Sequence, residues 1–118
     1  MTPLRYKLLG RSGLRVSEMA LGTMTFGDDW GWGAPADEAR RQYERFRAAG
    51  GNFIDTANNY TNGSAEKLVG ALIASERGAI VLATKYTIAW RPGDPNAAGN
   101  HRKNLVQSVE ASLRRLGT

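Results

Sequence analysis

The sequence contains no cysteine and a single histidine among its 118 residues. The absence of cysteine excludes disulfide bonds, thiolate zinc sites and a cysteine nucleophile. With His101 as its only histidine, the chain cannot build a multi-histidine metal site by itself, and we predict no metal. No apolar run approaches the ~18 residues of a membrane span, so we expect a cytoplasmic chain that does not enter a membrane.

Charge is only mildly unbalanced, with 16 Lys and Arg against 11 Asp and Glu and a net charge of +5. The basic residues are spread over two predicted helices and alternate with glutamates, for example Arg40 and Arg41 between Glu38 and Glu44. A nucleic-acid-binding protein usually concentrates its charge in a stripe with aromatic or motif support. We therefore predict solvated helix faces and no nucleic-acid partner, with an anionic small ligand as the next use of the charge.

The first residues predict a small β-hairpin. Two short extended runs, 6–9 and 15–17, flank the sequence Gly-Arg-Ser-Gly at 10–13. Glycine and serine between two extended runs are typical of a hairpin turn. We assign this hairpin to residues 1–17.

Residues 18–118 alternate between short apolar runs and amphipathic segments. The apolar runs 19–22, 52–57 and 80–85 are typical of buried strands. A helical pattern follows each of them, and strands that alternate with helices form a parallel sheet covered by those helices. The predicted fold class is therefore α/β, with three βα units after the hairpin.

Sequence signals also mark the ends of the helices. Pro35 suits a first helical turn, and Gly50 stops the first helix. Ser64 is a residue that can cap the second helix, and Gly117 ends the third. The third helix carries large apolar residues at about helical spacing, namely Leu105, Val109, Leu113 and Leu116.

The length of the chain bears on its completeness. Three parallel strands cannot close a barrel, and a doubly wound sheet normally uses five or six strands. We therefore expect that residues 1–118 form one partial, truncated domain with no second domain. A self-sufficient domain of three βα units is the alternative.

Candidate chemistry lies where the predicted strands end. Asp55 ends the second strand, Tyr60 follows it five residues later, and Lys85 ends the third strand. Because neighbouring strands are ~4.8 Å apart, Asp55 and Lys85 could form an ion pair at matching strand ends. The loop after Asp55 could return Tyr60 over the same place. For each residue alone the alternative is a loop cap or a surface charge.

Such a trio can act as a general acid. A tyrosine phenol has an ordinary pKa of roughly 10, and a neighbouring ammonium lowers the pKa of a phenol because it favours the phenolate. Asp55 would keep the lysine charged and oriented. A phenol made more acidic in this way could protonate a carbonyl oxygen while a hydride arrives at the carbonyl carbon.

Several runs of the sequence resemble the aldo-keto reductase family, in the family's order and along essentially the whole chain. The opening LGRSGLRVS at 9–17 and LGTM at 21–24 are followed by FIDTANNY at 53–60. The remaining matches are GSAE at 63–66, Gly70, LATK at 82–85, Asn104 and SLRRLG at 112–117.

The resemblance implies a (β/α)8 TIM barrel, with the hairpin plugging its bottom and this chain as its N-terminal third. It also implies metal-free reduction of aldehydes and ketones by hydride transfer from NADPH. Of the family's Asp, Tyr, Lys and His tetrad, Asp55, Tyr60 and Lys85 match three members, with Tyr60 as the proton donor. The histidine has no counterpart, because His101 falls at the start of the third helix.

The resemblance implies further contacts at the same strand ends. Gly22, Thr23 and Met24, together with Asp55, match positions near the nicotinamide of NADPH or NADP+. The loops that hold the adenine and the 2′-phosphate in the family have no counterpart in the chain. Three tryptophans could line the pocket of a small carbonyl substrate or could anchor long loops instead, namely Trp30, Trp32 and Trp90.

Two other interpretations compete with this one. The sequence at 31–36 formally satisfies the G-x-G-x-x-A pattern of a Rossmann dinucleotide site, with Asp55 at about the right distance. A loop precedes its first glycine, however, where the pattern requires a strand. The second alternative is a non-catalytic fragment that acts by association, with a complementing C-terminal piece or with itself, through an exposed sheet edge. We expect the chain alone to be inactive.

Overall fold

The computed structural model describes residues 2–118, so Met1, the first residue of the predicted hairpin region, lies outside the described residues. The strands are β1 (Tyr6–Leu8), β2 (Arg15–Ser17), β3 (Leu21–Gly22), β4 (Phe53–Asp55) and β5 (Val81–Ala83). The helices are α1 (Ala36–Ala48), α2 (Ser64–Ile73) and α3 (Arg102–Leu116), with 3₁₀ turns at Tyr60–Gly63 and Ala74–Ala79.

The strands form two separate sheets. β1 and β2 pair antiparallel, with Lys7 opposite Val16, which is the predicted hairpin. The other three strands are parallel in the order β3-β4-β5. Gly22 lies opposite Asp55, and Asp55 lies opposite Ala83, so the carboxyl ends of all three strands meet at one rim of an open α/β sheet.

The parallel strands are shorter than the sequence predicts, and Lys85 does not end a strand. β5 stops at Ala83, so Lys85 lies two residues beyond it. Backbone pairing nevertheless continues past the regular strands. The Thr56 N–H donates to the Ala83 carbonyl at 2.8 Å, and the Asn58 N–H donates to the Lys85 carbonyl at 3.0 Å. The two chain segments therefore stay side by side as they leave the sheet.

The starts of α1 and α2 also differ from the prediction by one residue. Pro35 is the N-cap of α1, in an extended conformation, and not part of its first turn. Ser64 is the first residue of α2, and Gly63 is its N-cap. A residue before the N-cap satisfies the first turn of α2: the Thr61 hydroxyl accepts a hydrogen bond from the Ala65 N–H at 3.0 Å.

The core lies between the parallel sheet and the helices. Its centre is formed by fully buried apolar side chains of the sheet, the first loop and α2, chiefly Phe26, Ile54, Ala65, Val69 and Ile73. α2 and α3 approach each other closely at Gly70, where an added Cβ would lie 2.5 Å from the Leu116 carbonyl oxygen. Close packing of this kind stabilises the core by burying apolar surface.

The buried side of α3 is not the one that its large apolar residues suggest. Asn104, Ser108, Ala111, Ser112 and Leu116 are buried, and Leu116 alone belongs to the apolar set that predicts the helix. The rest of that set is 44–46% exposed, namely Leu105, Val109 and Leu113. Asn104 and Ser108 can be buried because they find hydrogen-bond partners inside the protein. In the described part of the chain, no helix has the length and hydrophobicity needed to cross a bilayer.

Candidate active site

Lys85 and Asp55 form the predicted ion pair at the rim of the sheet. The Lys85 ammonium donates to both carboxylate oxygens of Asp55 and to the Thr56 carbonyl, each at 2.8 Å. The side chain of Lys85 is 47% exposed and that of Asp55 is 41% exposed. The pair is therefore well ordered by hydrogen bonds and still open to a ligand.

Tyr60 lies beside this pair. The Lys85 ammonium is 5.0 Å from the centre of the Tyr60 ring, within the range of a cation–π contact. Among residues 2–118, the hydrogen bonds of the ammonium go to Asp55 and Thr56, so Tyr60 is its neighbour and not its hydrogen-bond partner. The acid, the ammonium and the phenol thus share one strand-end rim.

The surroundings keep Lys85 protonated. Partial burial alone would lower the pKa of the Lys85 ammonium, but the hydrogen bonds that it donates to Asp55, together with the nearby Tyr60 phenol, raise that pKa above its ordinary value. Lys85 is therefore a permanent positive charge at the rim at neutral pH.

Tyr60 is positioned by a tight, unusual turn. The next two residues, Thr61 and Asn62, have left-handed backbone angles with φ of 46° and 57°, a conformation that non-glycine residues rarely adopt. Thr61 is fully buried, and its hydroxyl donates to the Phe26 carbonyl at 2.6 Å. The same hydroxyl caps α2, so the turn is tied to the first βα loop and to the helix that follows it.

The four residues expected near a nicotinamide differ in their exposure. Gly22, which lies opposite Asp55, and Met24 are exposed, and a Cβ added at Gly22 would meet nothing within 4 Å. Thr23 is fully buried, and its N–H and hydroxyl both donate to the Asp55 carbonyl, at 3.1 and 3.0 Å. The side chain of Thr23 thus holds the backbone of Asp55 in place, and Gly22 and Met24 leave exposed surface.

Two of the three tryptophans lie together in the first βα loop. The ring centres of Trp30 and Trp32 are 5.7 Å apart with the rings tilted by 45°, and Trp32 is 56% exposed. Such a pair offers apolar surface to a ligand. The loop around it is closed by a bridge between Phe26 and Ala34.

Trp90, in the third βα loop, is fastened by its neighbours. Its indole N–H donates to the Asn104 side chain at 2.9 Å, and the guanidinium groups of Arg91 and Arg115 lie 4.6 and 5.5 Å from its ring. These contacts fit the loop-anchoring alternative for Trp90. His101 is the exposed N-cap of α3 and accepts from the Asn104 N–H at 3.3 Å.

A buried carboxylate near the rim was not predicted from the sequence. Glu66 in α2 is fully buried and accepts hydrogen bonds from Thr84 and Arg115, both at 2.9 Å. Its sequence signal is a glutamate on the apolar face of a helix, since Glu66 lies four and seven residues before Gly70 and Ile73. A charge in that position requires an internal partner.

The family model of the aldo/keto reductase family matches residues 18–118. The chain belongs to this family. The match includes the whole parallel sheet, its three helices and the rim with Asp55, Tyr60 and Lys85. The predicted membership of the aldo-keto reductase family is therefore confirmed.

Curated proteins similar to this aldo/keto reductase chain are much longer. The chain is 47% identical over 117 residues to the norsolorinic acid reductase stcV of Emericella nidulans, with 91% of the chain and 30% of that protein covered. It is 38% identical over 126 residues to the aldo-keto reductase ausK of the same organism, with 97% and 32% covered. The chain thus spans about a third of these relatives' length.

A solved structure shows the same arrangement of elements. The holo form of an aldo-keto reductase from Bacillus halodurans superposes with a TM-score of 0.83 at 32% identity. The superposition covers 98% of this chain and 37% of that one. The hairpin and the three βα units therefore have the fold of the corresponding part of an aldo-keto reductase.

Proposed function

We propose that this chain supplies the proton-donating rim of an NADPH-dependent reductase that converts aldehydes or ketones to alcohols. The proposal rests on family membership and on one observation, the Lys85 ammonium that is bound to Asp55 and lies 5.0 Å from the Tyr60 ring. A small carbonyl compound is the proposed substrate, and the cytoplasm is the proposed location.

In this proposal Tyr60 is the general acid. Its phenolic O–H bond breaks, and the proton moves to the carbonyl oxygen, which becomes the alcohol hydroxyl. Lys85 stabilises the phenolate that remains, since its ammonium already lies beside the ring. Asp55 orients that ammonium through two hydrogen bonds. When bound, NADPH supplies the hydride that the carbonyl carbon receives.

The exposed residues beside Asp55 fit the nicotinamide end of this cofactor. Gly22 leaves open space where a side chain would stand, and Met24 is 48% exposed, so a flat ring could approach both. Trp30 and Trp32 would border the substrate. The family's histidine and the loops for the adenine and the 2′-phosphate would come from other residues, so we expect the chain alone to bind NADPH weakly and to be inactive.

A chimera tests the proposal. This chain would replace the matching N-terminal segment of the Bacillus halodurans enzyme, of which it covers 37%. NADPH-dependent reduction of an aromatic aldehyde would then be followed by absorbance. We expect activity in the chimera and a loss of about 100-fold or more in the variant Tyr60→Phe, the size typical for a general acid.

The matched control is Tyr6→Phe, which removes a phenol from the exposed hairpin strand β1. Its rate should equal that of the parent chimera. A folded chimera with no activity, or equal rates in the Tyr60→Phe and parent chimeras, would contradict the proposed role of this chain.

A second candidate function is self-association without catalysis. Two observations favour it: the exposed apolar residues Leu105, Val109 and Leu113 on α3, and β5, which among the described residues pairs with β4 only. An apolar helix face beside an open strand edge is a surface on which a second copy could pack. Sedimentation velocity of the chain and of Val109→Lys tests it; a monomeric parent chain would exclude this alternative.

A further inference from the structure

The carboxylate of Glu66 is the one fully buried acidic group among residues 2–118, and the proposed reaction does not use it. Burial of an ionised carboxylate is costly unless the charge is paired and hydrogen-bonded. Glu66 has both kinds of partner. Its Oε1 accepts from the Arg115 guanidinium at 2.9 Å, and its Oε2 accepts from the Thr84 hydroxyl at 2.9 Å.

The two partners of Glu66 connect it to Lys85 at the rim and to Trp90 in the third βα loop. Thr84 directly precedes Lys85, whose carbonyl is held by the Asn58 N–H and whose ammonium reaches Asp55. Arg115 is 19% exposed, and its guanidinium lies 5.5 Å from the Trp90 ring in the third βα loop. One carboxylate therefore joins α2, α3, the exit of β5 and that loop.

A glycine at position 63 leaves room for the Arg115 guanidinium beside Glu66. Gly63, the N-cap of α2, has φ of +95°, and a Cβ there would lie 2.7 Å from the Arg115 Nε. A side chain at this position would push the guanidinium away from Glu66. The glycine therefore serves both the left-handed turn and the close approach of the arginine.

We propose that Glu66 is a positioning residue that, through its hydrogen bond from Thr84, sets the place of Lys85 relative to Asp55 and Tyr60. Arg115 holds the carboxylate in one orientation, and at the same time steadies Trp90. The importance of this for catalysis rests on the proposed function, but the placement of Lys85 can be measured without any reaction.

The test is an NMR titration of the 118-residue chain with labelled lysine side chains, which reports the pKa of each ammonium. Lys67 and Lys103 serve as internal references, and Lys85→Arg assigns the Lys85 signal. The charged and titratable groups close to the ammonium are Asp55 and Tyr60. If Thr84→Val loosens the ammonium from Asp55, the pKa of Lys85 should fall measurably towards its ordinary value.

Three variants separate positioning from a general loss of structure. Thr84→Ser keeps the hydroxyl and should keep the parent titration of Lys85, whereas Glu66→Gln should shift it in the same direction as Thr84→Val. Thr118→Val is the control. It removes a threonine hydroxyl outside the network, one that accepts a hydrogen bond from Arg77 at 3.0 Å, and it should leave the Lys85 titration unchanged.

The outcomes are decisive in both directions. A Lys85 titration that is unchanged in a folded Thr84→Val chain overturns the proposal, even if Glu66→Gln fails to fold. A shift that Thr84→Ser reproduces as fully as Thr84→Val also overturns it. Because no cofactor or substrate is present, these results are independent of whether the chimera reduces carbonyl compounds.

Discussion

Two ion pairs at opposite ends of β4 differ in what surrounds them. At its carboxyl end, Asp55 and Lys85 lie in the open, with side chains 41% and 47% exposed. At its amino end, Arg47 of α1 and Glu76 of the second 3₁₀ turn are 24% and 34% exposed. We call the first pair the rim pair and the second the anchor pair.

The anchor pair is saturated with internal hydrogen bonds. Arg47 donates to both carboxylate oxygens of Glu76, at 3.0 and 2.6 Å, and to the carbonyl of Gly51, which lies just before β4. The Tyr43 hydroxyl donates to the same carboxylate. The charged groups of the anchor pair thus have hydrogen-bond partners inside the protein, so its main effect is on stability.

The electrostatic effects follow the same division. The hydrogen bonds from Arg47 and Tyr43 lower the pKa of Glu76. Burial, reinforced by Glu76, raises the pKa of Tyr43 to about 12. The rim pair instead keeps one exposed ammonium charged beside a phenol. Similar charge pairs therefore stabilise the fold where their partners are internal and remain accessible to a ligand where they are open.

The largest expected effect concerns activity at the rim. In the chimera with the Bacillus halodurans enzyme, Lys85→Met should lower kcat/KM for an aldehyde by about 100-fold or more, because the proposed phenolate loses its neighbouring charge. The melting temperature should change little. Lys67→Met is the control and should keep the parent kcat/KM. If Lys85→Met also kept it, the proposed catalytic role of the rim pair would be wrong.

The next effect concerns stability at the anchor. Glu76→Ala leaves the Arg47 guanidinium and the Tyr43 hydroxyl without their partner and should lower the free energy of unfolding by about 1–2 kcal/mol. Partial exposure to solvent keeps the value at this end of the range. Urea unfolding of the chain measures it. Glu44→Ala, an exposed substitution on α1, is the control and should leave the midpoint unchanged.

A smaller effect is the dependence of the anchor on pH. Because the folded pKa of Glu76 is lowered, the stabilisation from its ionised form is complete above the ordinary glutamate pKa of about 4.3. It is lost as the pH falls through the lowered value. The stability difference between the parent chain and Glu76→Gln should therefore shrink as the pH falls from about 5 into strongly acidic solution, the range in which the carboxylate becomes protonated. A stability difference that does not change with pH would contradict a stabilising role for ionised Glu76 in the anchor pair.

The smallest effect is expected from the rim pair on stability. Asp55→Asn removes a charge from a pair that is more than 40% exposed on both sides, and exposed ion pairs contribute about 0–1 kcal/mol. Urea unfolding should place this variant closer to the parent chain than Glu76→Ala. If Asp55→Asn were the more destabilising of the two, the division between an open rim and an enclosed anchor would be wrong.

Most of the architecture could be predicted from local sequence signals. The hairpin, the three βα units and the positions of the helices follow from apolar periodicity and turn residues, which act over a few residues. The meeting of Asp55 and Lys85 could also be predicted, because parallel strands end at the same edge. The family resemblance gave this meeting a chemical meaning, and the roles of Asp55, Tyr60 and Lys85 stay predictions.

The buried side of α3 and the partners of Glu66 could not be predicted. Periodicity pointed to Leu105, Val109 and Leu113, yet the helix buries Asn104 and Ser108. Asn104 can be buried because it accepts a hydrogen bond from the indole of Trp90, 14 residues earlier in the chain. Hydrophobic pattern ranks residues by their transfer from water, and it carries no information about hydrogen-bond partners from another element.

The amino-acid sequence by itself determined the order of the strands and helices and the residue types at the strand ends, because backbone propensity and apolar spacing are local properties. Only the tertiary structure decided which charges are enclosed and which stay open. The Glu66–Arg115 pair joins residues 49 positions apart, and the Lys85–Asp55 pair joins residues 30 apart. Their burial depends on how helices and loops pack around them, since the cost of an enclosed charge is set by its neighbours in space.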